Sequence, residues 1–174
     1  ILDSVKGKPT WVPPSVVLPG VFSNSDRIGQ EWFAPAGLNR GGLSEVTEAK
    51  TRLTNLERDD LYENRINPIA TFPGQGVVVF GQKTLQGKPS ALDRVNVRRL
   101  LINLRKFIAS SSRFLVFEQN TAALRNRFLN IVNPYMEQVQ ANAGLSAFRI
   151  VMDDSNNTPD VVDRNQLVGQ IFIQ

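Results

Sequence analysis

The sequence of 174 residues predicts an α/β fold: a small mixed sheet with flanking helices, preceded by an irregular N-terminal segment. Three observations predict this class. A continuous apolar run between glycines, residues 76–81, is typical of a strand covered on both faces. An apolar stripe at spacings of three and four, residues 97–108, indicates an amphipathic helix. A second apolar run, residues 114–117, precedes another periodic segment, so the predicted core alternates strand, helix, strand, helix, strand.

The N-terminal part, residues 1–65, is predicted to be an irregular and partly helical segment that wraps the α/β core of residues 66–174 within one domain. It is rich in proline, which interrupts regular structure. Ser15–Leu18 fits either a short strand or the start of a buried helix, because so short an apolar run has no decisive period. Trp32 and Phe33 are expected to attach an extended stretch to the core.

A short helix and an extended strand are predicted next. The run Thr54-Asn55-Leu56-Glu57 is a capping-box pattern and opens a helix to about Asn64. Pro68 disfavours further helix, so Ile66–Phe72 is expected to be extended. Gly74-Gln75-Gly76 comes before a strand, whereas a dinucleotide-binding fingerprint needs its glycines after one. It is therefore interpreted as a tight turn.

The first long helix is predicted to begin at the capping pattern of Ser90 and Asp93 and to run to about Ala109. Phe114–Phe117 is then predicted to be a second buried strand. The apolar stripe of the helix consists of Val97, Leu100, Leu101, Leu104, Phe107 and Ile108.

The second long helix is predicted to begin at Thr121, to be kinked by Pro134 and to be closed by Gly144. Ala147–Met152 is predicted to be the third strand. The last strand, Leu167–Ile173, is expected to run antiparallel because its connection is short, while parallel neighbours elsewhere should have right-handed crossovers. The apolar face of the helix consists of Leu124, Phe128, Ile131, Val132, Tyr135 and Val139.

Composition excludes several classes of chemistry. The chain has no cysteine and no histidine, which excludes thiol catalysis and removes the commonest general base and metal ligand. The loop Asp153–Asp160 is rich in oxygen atoms, and a hard cation is conceivable there. Its spacing does not fit the EF-hand pattern, however, so we interpret it as a surface loop with Asx turns. We expect no metal, no cofactor and no membrane segment.

Basic residues follow one flank of the first long helix. The net charge is only +4, so their placement matters more than their number. Like charges four residues apart repel, and an acidic partner would offset that cost. A solvated flank, a protein contact and a nucleic-acid contact all remain open, although no aromatic residues interleave as stacking platforms for bases. The candidate contact residues are Arg94, Arg98, Arg99, Arg105 and Lys106, with Arg125 and Arg127 on the next helix as rivals.

The sequence resembles the tail sheath proteins of contractile bacteriophages, closest to the T4-like type. The resemblance covers nearly the whole chain and depends on the order of short fragments. These are Pro13-Pro14-Ser15 to Arg27, Ala34-Pro35-Ala36, Ile66-Asn67-Pro68-Ile69, Phe72-Pro73-Gly74-Gln75-Gly76, Gly81-Gln82-Lys83-Thr84-Leu85, Asn96-Val97-Arg98-Arg99-Leu100, Phe117-Glu118-Gln119-Asn120 and Asn157-Thr158-Pro159-Asp160.

The resemblance implies a non-enzymatic structural subunit that polymerises as six-fold rings around a tail tube and contracts to drive the tube through the host envelope. The partners it implies are other sheath subunits, the tube protein, and the baseplate and tail terminator proteins, without direct nucleic-acid contact. The implied location is the virion tail, with assembly in the host cytoplasm. This chain corresponds to the C-terminal, tube-proximal part of such proteins.

The chain begins without methionine and ends directly after a predicted strand, whereas family members continue into an arm that pairs with a neighbour. We therefore expect a fragment without its arms and outer domains. An unpaired strand edge is a template for strand addition, so we expect the last strand to lie beside an inter-subunit sheet. The candidate edge consists of Leu167, Val168, Gly169, Gln170, Ile171, Phe172 and Ile173.

Two other classes of function remain as alternatives. The first is a basic α/β module that binds nucleic acid through the arginine flank. The second is an α/β enzyme that works without histidine or cysteine, for which Glu118 and Asp153 are the pair of carboxylates to inspect.

Overall fold

The chain consists of helices and short antiparallel strands that mostly follow one another in pairs, and the computed structural model describes all residues, 1–174. Five α-helices accompany three separate two-stranded sheets, which confirms the predicted mixed α/β class. Contacts group the residues into two units, 1–101 and 102–174. The prediction of one domain, with residues 1–65 as a wrapping segment, remains a prediction.

The first unit begins with a small hairpin and a helix whose start is set by proline. Ser15–Leu18, which the sequence left open, belongs to this helix. Pro14 occupies the first helical position, where its missing N–H needs no intrahelical partner. The helix continues through Pro19, which has no N–H to donate to the preceding turn. The elements are β1 (Leu2–Asp3), β2 (Lys8–Pro9), α1 (Pro14–Ile28), α2 (Asn55–Glu63), β3 (Ile69–Phe72) and β4 (Gly76–Val79).

The hairpin of β3 and β4 forms the centre of the first unit. Its turn has Pro73 in second position and Gly74 at φ +75°, and the Gln75 N–H donates to the Phe72 carbonyl at 3.1 Å. These are the features of a type II turn, so the predicted tight turn is confirmed. All three valines of β4 are buried, as predicted for a strand covered on both faces. The extended strand predicted from Ile66 begins three residues later.

A loop segment completes the other edge of β4. Leu43 donates to the Val77 carbonyl at 2.9 Å, and Val79 donates to the Gly41 carbonyl at 2.8 Å. Gly41 is required there because a Cβ atom would lie 2.5 Å from the Val79 carbonyl oxygen. Val21 of α1 packs with Leu43, Val77 and Val79 to form the core of the unit.

The helix α3 (Val95–Ser112) passes from the first unit into the second. Its start differs from the prediction, because Ser90 caps a separate 3₁₀ turn over Ala91–Asp93 instead. Arg94 is extended, and the α-helix begins at the next residue. Leu100 and Leu104 are buried, so the predicted apolar stripe is confirmed.

The second unit is organised around one long helix. Thr121 caps it by accepting from the Leu124 N–H at 3.2 Å, as predicted. The Tyr135 ring stacks on Phe107 of α3, with 3.7 Å between ring centroids. The buried residues of the helix are Leu124, Arg125, Phe128, Val132, Met136 and Val139. The elements are α4 (Ala122–Ala141), β5 (Phe148–Val151), α5 (Pro159–Asp163) and β6 (Gln170–Ile173).

The C-terminus of α4 has the hydrogen bonds of a Schellman motif. Gly144 donates to the Val139 carbonyl at 2.8 Å, and Ala143 donates to the Gln140 carbonyl at 3.0 Å. Gly144 therefore makes the closing hydrogen bond, but it lies one residue beyond the position in which a helix-ending glycine was expected. The residue with the left-handed backbone is Ala143, at φ +57°, although glycine is the usual choice there.

The predicted strand Phe114–Phe117 is wrong. Residues 113–115 form a 3₁₀ turn that follows α3, and Phe117 adopts φ +70°. Four apolar residues are too few for periodicity to distinguish a buried strand from an exposed turn. Without this strand no parallel neighbours form: all three sheets are antiparallel, so the expected right-handed crossovers are absent. The antiparallel direction expected for the last strand is confirmed.

The capping box of α2 predicts a pH-dependent contribution to stability. The Thr54 N–H and hydroxyl donate to Glu57 Oε2 at 2.7 and 2.8 Å, and these bonds hold the pKa of Glu57 below its ordinary value of 4.5. A carboxyl whose pKa is lower in the folded state stabilises the fold fully above pH 4.5, and this contribution is lost as the pH falls through the folded pKa. The difference in unfolding free energy between wild type and Glu57→Gln should therefore shrink with acidification. Denaturant titrations from pH 7 to 3 measure it, and a constant difference would contradict the assignment.

Candidate assembly interface

The strand β6 has an unpaired backbone edge. It pairs only with β5, and just past the sheet Ala147 and Gln174 exchange two N–H···O bonds of 3.3 and 2.9 Å. Hydrogen-bonded and non-hydrogen-bonded pairs alternate in an antiparallel ladder, so the adjacent pair Phe148↔Ile173 is non-hydrogen-bonded. By the same alternation, Ile171 and Ile173 direct their N–H and C=O groups away from β5. The edge of β6 thus offers two donors and two acceptors to an additional strand.

A buried amide holds the segment that leads into β6. Asn157 is 3% exposed, and its Oδ1 accepts from the Val168 N–H at 2.9 Å. Its Nδ2 donates to the Val168 carbonyl at 2.8 Å. The Asn120 Nδ2 reaches the same place, donating to Asn157 Oδ1 at 3.0 Å and to the Gln166 carbonyl at 2.9 Å. These side chains act as a pairing partner for a stretch of backbone that has no neighbouring strand.

Arg125 completes this network from inside α4. Its side chain is 8% exposed, and its guanidinium donates to Asn120 Oδ1 at 3.0 Å and to the carboxylate of Asp154. We call Asn120, Arg125 and Asn157 the amide clamp. Arg125 was predicted to contact another protein, whereas it is bonded inside its own unit. No role was predicted for the two asparagines. Both asparagines occur in the fragments on which the family resemblance depends. Their presence there was the one feature of the sequence that pointed to a role for them.

Four of the seven candidate basic residues are exposed, and their side chains form no hydrogen bond or ion pair within the chain. Arg98, Arg105 and Lys106 lie on α3, outside its apolar stripe, and Arg127 lies on α4. Their charges are therefore available to another molecule.

The other two basic residues of the flank serve this chain. Arg99 donates to both carboxylate oxygens of Asp26, at 2.7 and 2.6 Å, and its guanidinium lies over the Phe22 ring. Arg94 donates to the Tyr62 hydroxyl at 2.8 Å and lies 3.4 Å from Asp93. Arg94 and Arg99 therefore each have a partner within the first unit. An acidic partner of this kind offsets the repulsion between like charges on the helix.

An aromatic projection that the sequence analysis missed lies between α3 and α4. Phe114, Val116 and Phe117 are 76%, 59% and 103% exposed. Apolar composition had assigned them to the interior, because sequence alone does not say whether a partner strand is available. Their exposure, together with the left-handed backbone of Phe117, marks this turn as a candidate contact surface.

The alternative sites receive little support. The Ser155 hydroxyl and then its N–H hold the pKa of Asp153 below its ordinary value, so that carboxylate is not tuned for proton transfer near neutral pH. These bonds also form the predicted Asx turn.

No group of three or more acidic side chains is placed to hold a metal ion. None of the helices combines the length and hydropathy needed to span a bilayer.

A model of the family described as the phage tail sheath C-terminal domain matches residues 87–174, just over half of the chain. The chain belongs to this family. The curated relatives of this sheath domain extend the similarity to its first half. The tail sheath protein of Vibrio phage KVP40 is 37% identical over 172 residues, which cover 99% of this chain and 26% of that protein. The tail sheath protein of Enterobacteria phage T4 is 38% identical over 164 residues, or 94% of this chain and 25% of that protein. The sheath domain thus spans about a quarter of the length of these relatives.

Solved structures have the same fold as the sheath domain. The sheath complex of an extracellular contractile injection system, in its contracted state, matches with a TM-score of 0.85 and 25% identity, over 95% of this chain and 49% of that chain. The baseplate structure of the anti-feeding prophage contains a chain that matches with a TM-score of 0.85 and 24% identity, over 95% of this chain and 47% of that chain. The fold is therefore shared well beyond the region that the family model matches.

Two arginines of α4 provide a matched test of the amide clamp in the sheath domain. Arg125→Ala should lower the free energy of unfolding by about 2–4 kcal/mol, because it leaves Asn120 Oδ1 without its donor and opens space in the interior. Arg127→Ala, two residues away and exposed, should change it by less than about 0.5 kcal/mol. Chemical denaturation measures both. Equal effects of the two substitutions would contradict the structural role of Arg125.

Proposed function

We propose that this chain is the tube-proximal domain of a contractile tail sheath subunit. The subunit polymerises as six-fold rings around a tail tube, contacts baseplate and tail terminator proteins at the two ends, and contracts to drive the tube through the host envelope. It works as a structural protein of the virion tail, after assembly in the host cytoplasm, and it uses no cofactor and catalyses no reaction.

One observation carries this proposal: over 95% of its length the chain has the fold of a protein from a sheath complex, at a TM-score of 0.85. The unpaired edge of β6 agrees with it, because strand addition joins chains through backbone hydrogen bonds and needs no particular side chains. The absence of histidine and cysteine is consistent with a protein whose chemistry is subunit contact.

The mechanics follow from how the interior is packed. The units are filled by close-packed apolar side chains, which resist continuous deformation. Contraction would therefore move each domain as a rigid body and repack the contacts between subunits. The free energy would be released at interfaces between copies, with no nucleotide consumed.

For the tube contact we propose the exposed cations Arg98, Arg105, Lys106 and Arg127, whose exposure supports this role. Arg94, Arg99 and Arg125 already have partners inside their own units. An acidic tube surface would attract the exposed cations over about 8–10 Å at moderate salt. Such a contact would hold the sheath to the tube while allowing release during contraction, because exposed ion pairs are individually weak.

Charge reversal tests the tube contact. The double variant Arg98→Glu, Arg105→Glu should weaken attachment of the sheath to purified tubes by roughly tenfold or more at low salt, with a smaller effect at high salt. The double variant Lys88→Glu, Arg52→Glu changes the net charge equally at two exposed sites elsewhere and should leave attachment unchanged. Cosedimentation measures attachment, and equal behaviour of the two variants would rule out the α3 flank. Steeply salt-dependent DNA binding by a monomer that never polymerises would instead favour a nucleic-acid module.

Proline tests the strand edge. The N–H of Ile173 points away from β5, so Ile173→Pro should preserve the hairpin while removing a donor that an added strand needs. Ile173→Thr loses a comparable amount of apolar surface but keeps the N–H. In the full-length protein, Ile173→Pro should abolish or greatly shorten sheath polymers seen by electron microscopy, whereas Ile173→Thr should not. Polymers of normal length from a folded Ile173→Pro protein would exclude strand addition at this edge.

A further inference from the structure

The turn between α3 and α4 carries the most conspicuous apolar surface of the second unit. Phe114, Val116 and Phe117 project from four consecutive residues, and the side chain of Phe117 touches almost nothing in its own chain. We call these three residues the aromatic knob. Burial of two phenylalanine side chains removes roughly 300–500 Å² from water, comparable to the largest apolar patches found on soluble monomers. Patches of this size are usually contact surfaces.

The backbone of the knob is held in an unfavourable conformation. Phe117 has φ +70°, in the left-handed region that bulky side chains rarely adopt. The Glu118 N–H donates to the Leu115 carbonyl at 3.2 Å, which closes the turn, and Asn120 is tied into the amide clamp three residues later. A strained residue kept in place by surrounding bonds often has a function that needs its orientation. Here the strain directs an aromatic ring straight into solvent.

An apolar groove of about 460 Å³ lies in the first unit. Trp11 forms one wall and is 65% exposed, although tryptophan usually occupies sheltered positions. Val17, Val46, Ala49 and Leu53 contribute further apolar surface to the lining. The charged side chains at its margin, Glu48 and Lys50, are exposed.

We propose that the aromatic knob of one subunit inserts into the Trp11 groove of a second copy of this chain in the sheath polymer. This inference rests on the proposed function, and it names a contact other than the β6 edge. Within its own unit the side chain of Phe117 packs against nothing, because it is fully exposed. Insertion of the knob of one copy into the groove of another would remove both apolar surfaces from water.

The size and the asymmetry of the contact favour a polymer. A stable pair of proteins needs about 800 Å² buried on each partner, roughly twice what the knob supplies, so this contact alone would not hold a free dimer. It suits a polymer, in which other contacts add to it. Because knob and groove are different surfaces, the contact is head-to-tail, and such contacts generate rings or helical assemblies. A solved relative forms a helical sheath.

Charged residues flank both the knob and the groove. Arg113 and Glu118 flank the knob and are exposed, and the groove is flanked by Glu48 and Lys50. Each pair consists of one cation and one anion and has no net charge, so the two surfaces do not repel each other through net charge. Rim charges of this kind set orientation more than affinity.

The first experiment removes the ring without harming the fold. Phe117→Gly in the full-length protein deletes the knob, and because glycine tolerates positive φ, the variant should be at least as stable as wild type. Sheath polymers should be lost or at least tenfold fewer by electron microscopy. The control Leu85→Ser removes another exposed apolar side chain, 89% exposed, and should assemble normally.

The outcomes separate the two proposals. Wild-type polymer formation from Phe117→Gly would overturn the knob contact and leave the sheath function standing. Polymers that form normally but fail to attach to tubes would also overturn it, since the knob would then serve the tube. Wild-type protein that never forms ordered polymers would overturn the proposed function itself, and the knob contact with it.

The second experiment locates the receptor. The chain contributes no cysteine, so introduced thiols can be followed cleanly. Subunits carrying Phe117→Cys are co-assembled with subunits carrying Val46→Cys and treated with a short bismaleimide. A cross-link between the two introduced positions, identified by mass spectrometry, is expected in the polymer. Leu85→Cys in place of Phe117→Cys should give none. Polymers without a cross-link between positions 117 and 46 would exclude the Trp11 groove as the receptor.

Discussion

The small size of the sheets is the constraint on which the rest of this structure depends. β5 and β6 form a two-stranded sheet, and such hairpins are marginally stable in water on their own. The amide clamp of Asn120, Arg125 and Asn157 supplies the missing partners for the segment that enters β6. These hydrogen bonds reach Gln166 and Val168, which precede β6, so they leave the outward edge of β6 free. Because the sheet has only two strands, side chains must bond the backbone that leads into β6, and the outer edge of β6 has no partner.

Residues of one type have different roles here because their burial differs. Arg125 is enclosed and bonded on two sides, whereas Arg127 on the same helix faces solvent. On α3, Arg99 is paired with Asp26, whereas Arg98 has no partner. Buried cations must be matched within the fold, since an unpaired buried charge is costly. Only the exposed cations remain available to another molecule, and their weak, screened interactions would suit the releasable tube contact proposed above.

Apolar residues also fall into a buried group and an exposed group. The valines of β4 and the inner face of α4 hold the units together, while the aromatic knob and Trp11 lie outside. In a protein that stays monomeric such surfaces would favour aggregation. In the proposed sheath subunit they would direct association toward one geometry. The proposed contraction would require such a combination of a stiff interior and apolar contact surfaces, since packed cores are not continuously deformable.

The sequence by itself determined the features that depend on residues close together in the chain. The capping box of Thr54 and Glu57, the turn at Gly74 and most of the apolar faces of α3 and α4 were readable from it, because hydrogen bonds and periodicity act over a few residues. Ile131 is an exception, since it was predicted on the apolar face of α4 and is exposed. The family resemblance was readable from the order of short fragments along the chain. Tertiary structure alone decided the fate of Phe114–Phe117, since a strand needs a partner that the run itself does not specify. It also decided that Arg125 is internal, because Asp154, with which it pairs, lies 29 residues further along the chain. Burial and pairing of this kind depend on distant segments meeting, and no local pattern encodes that.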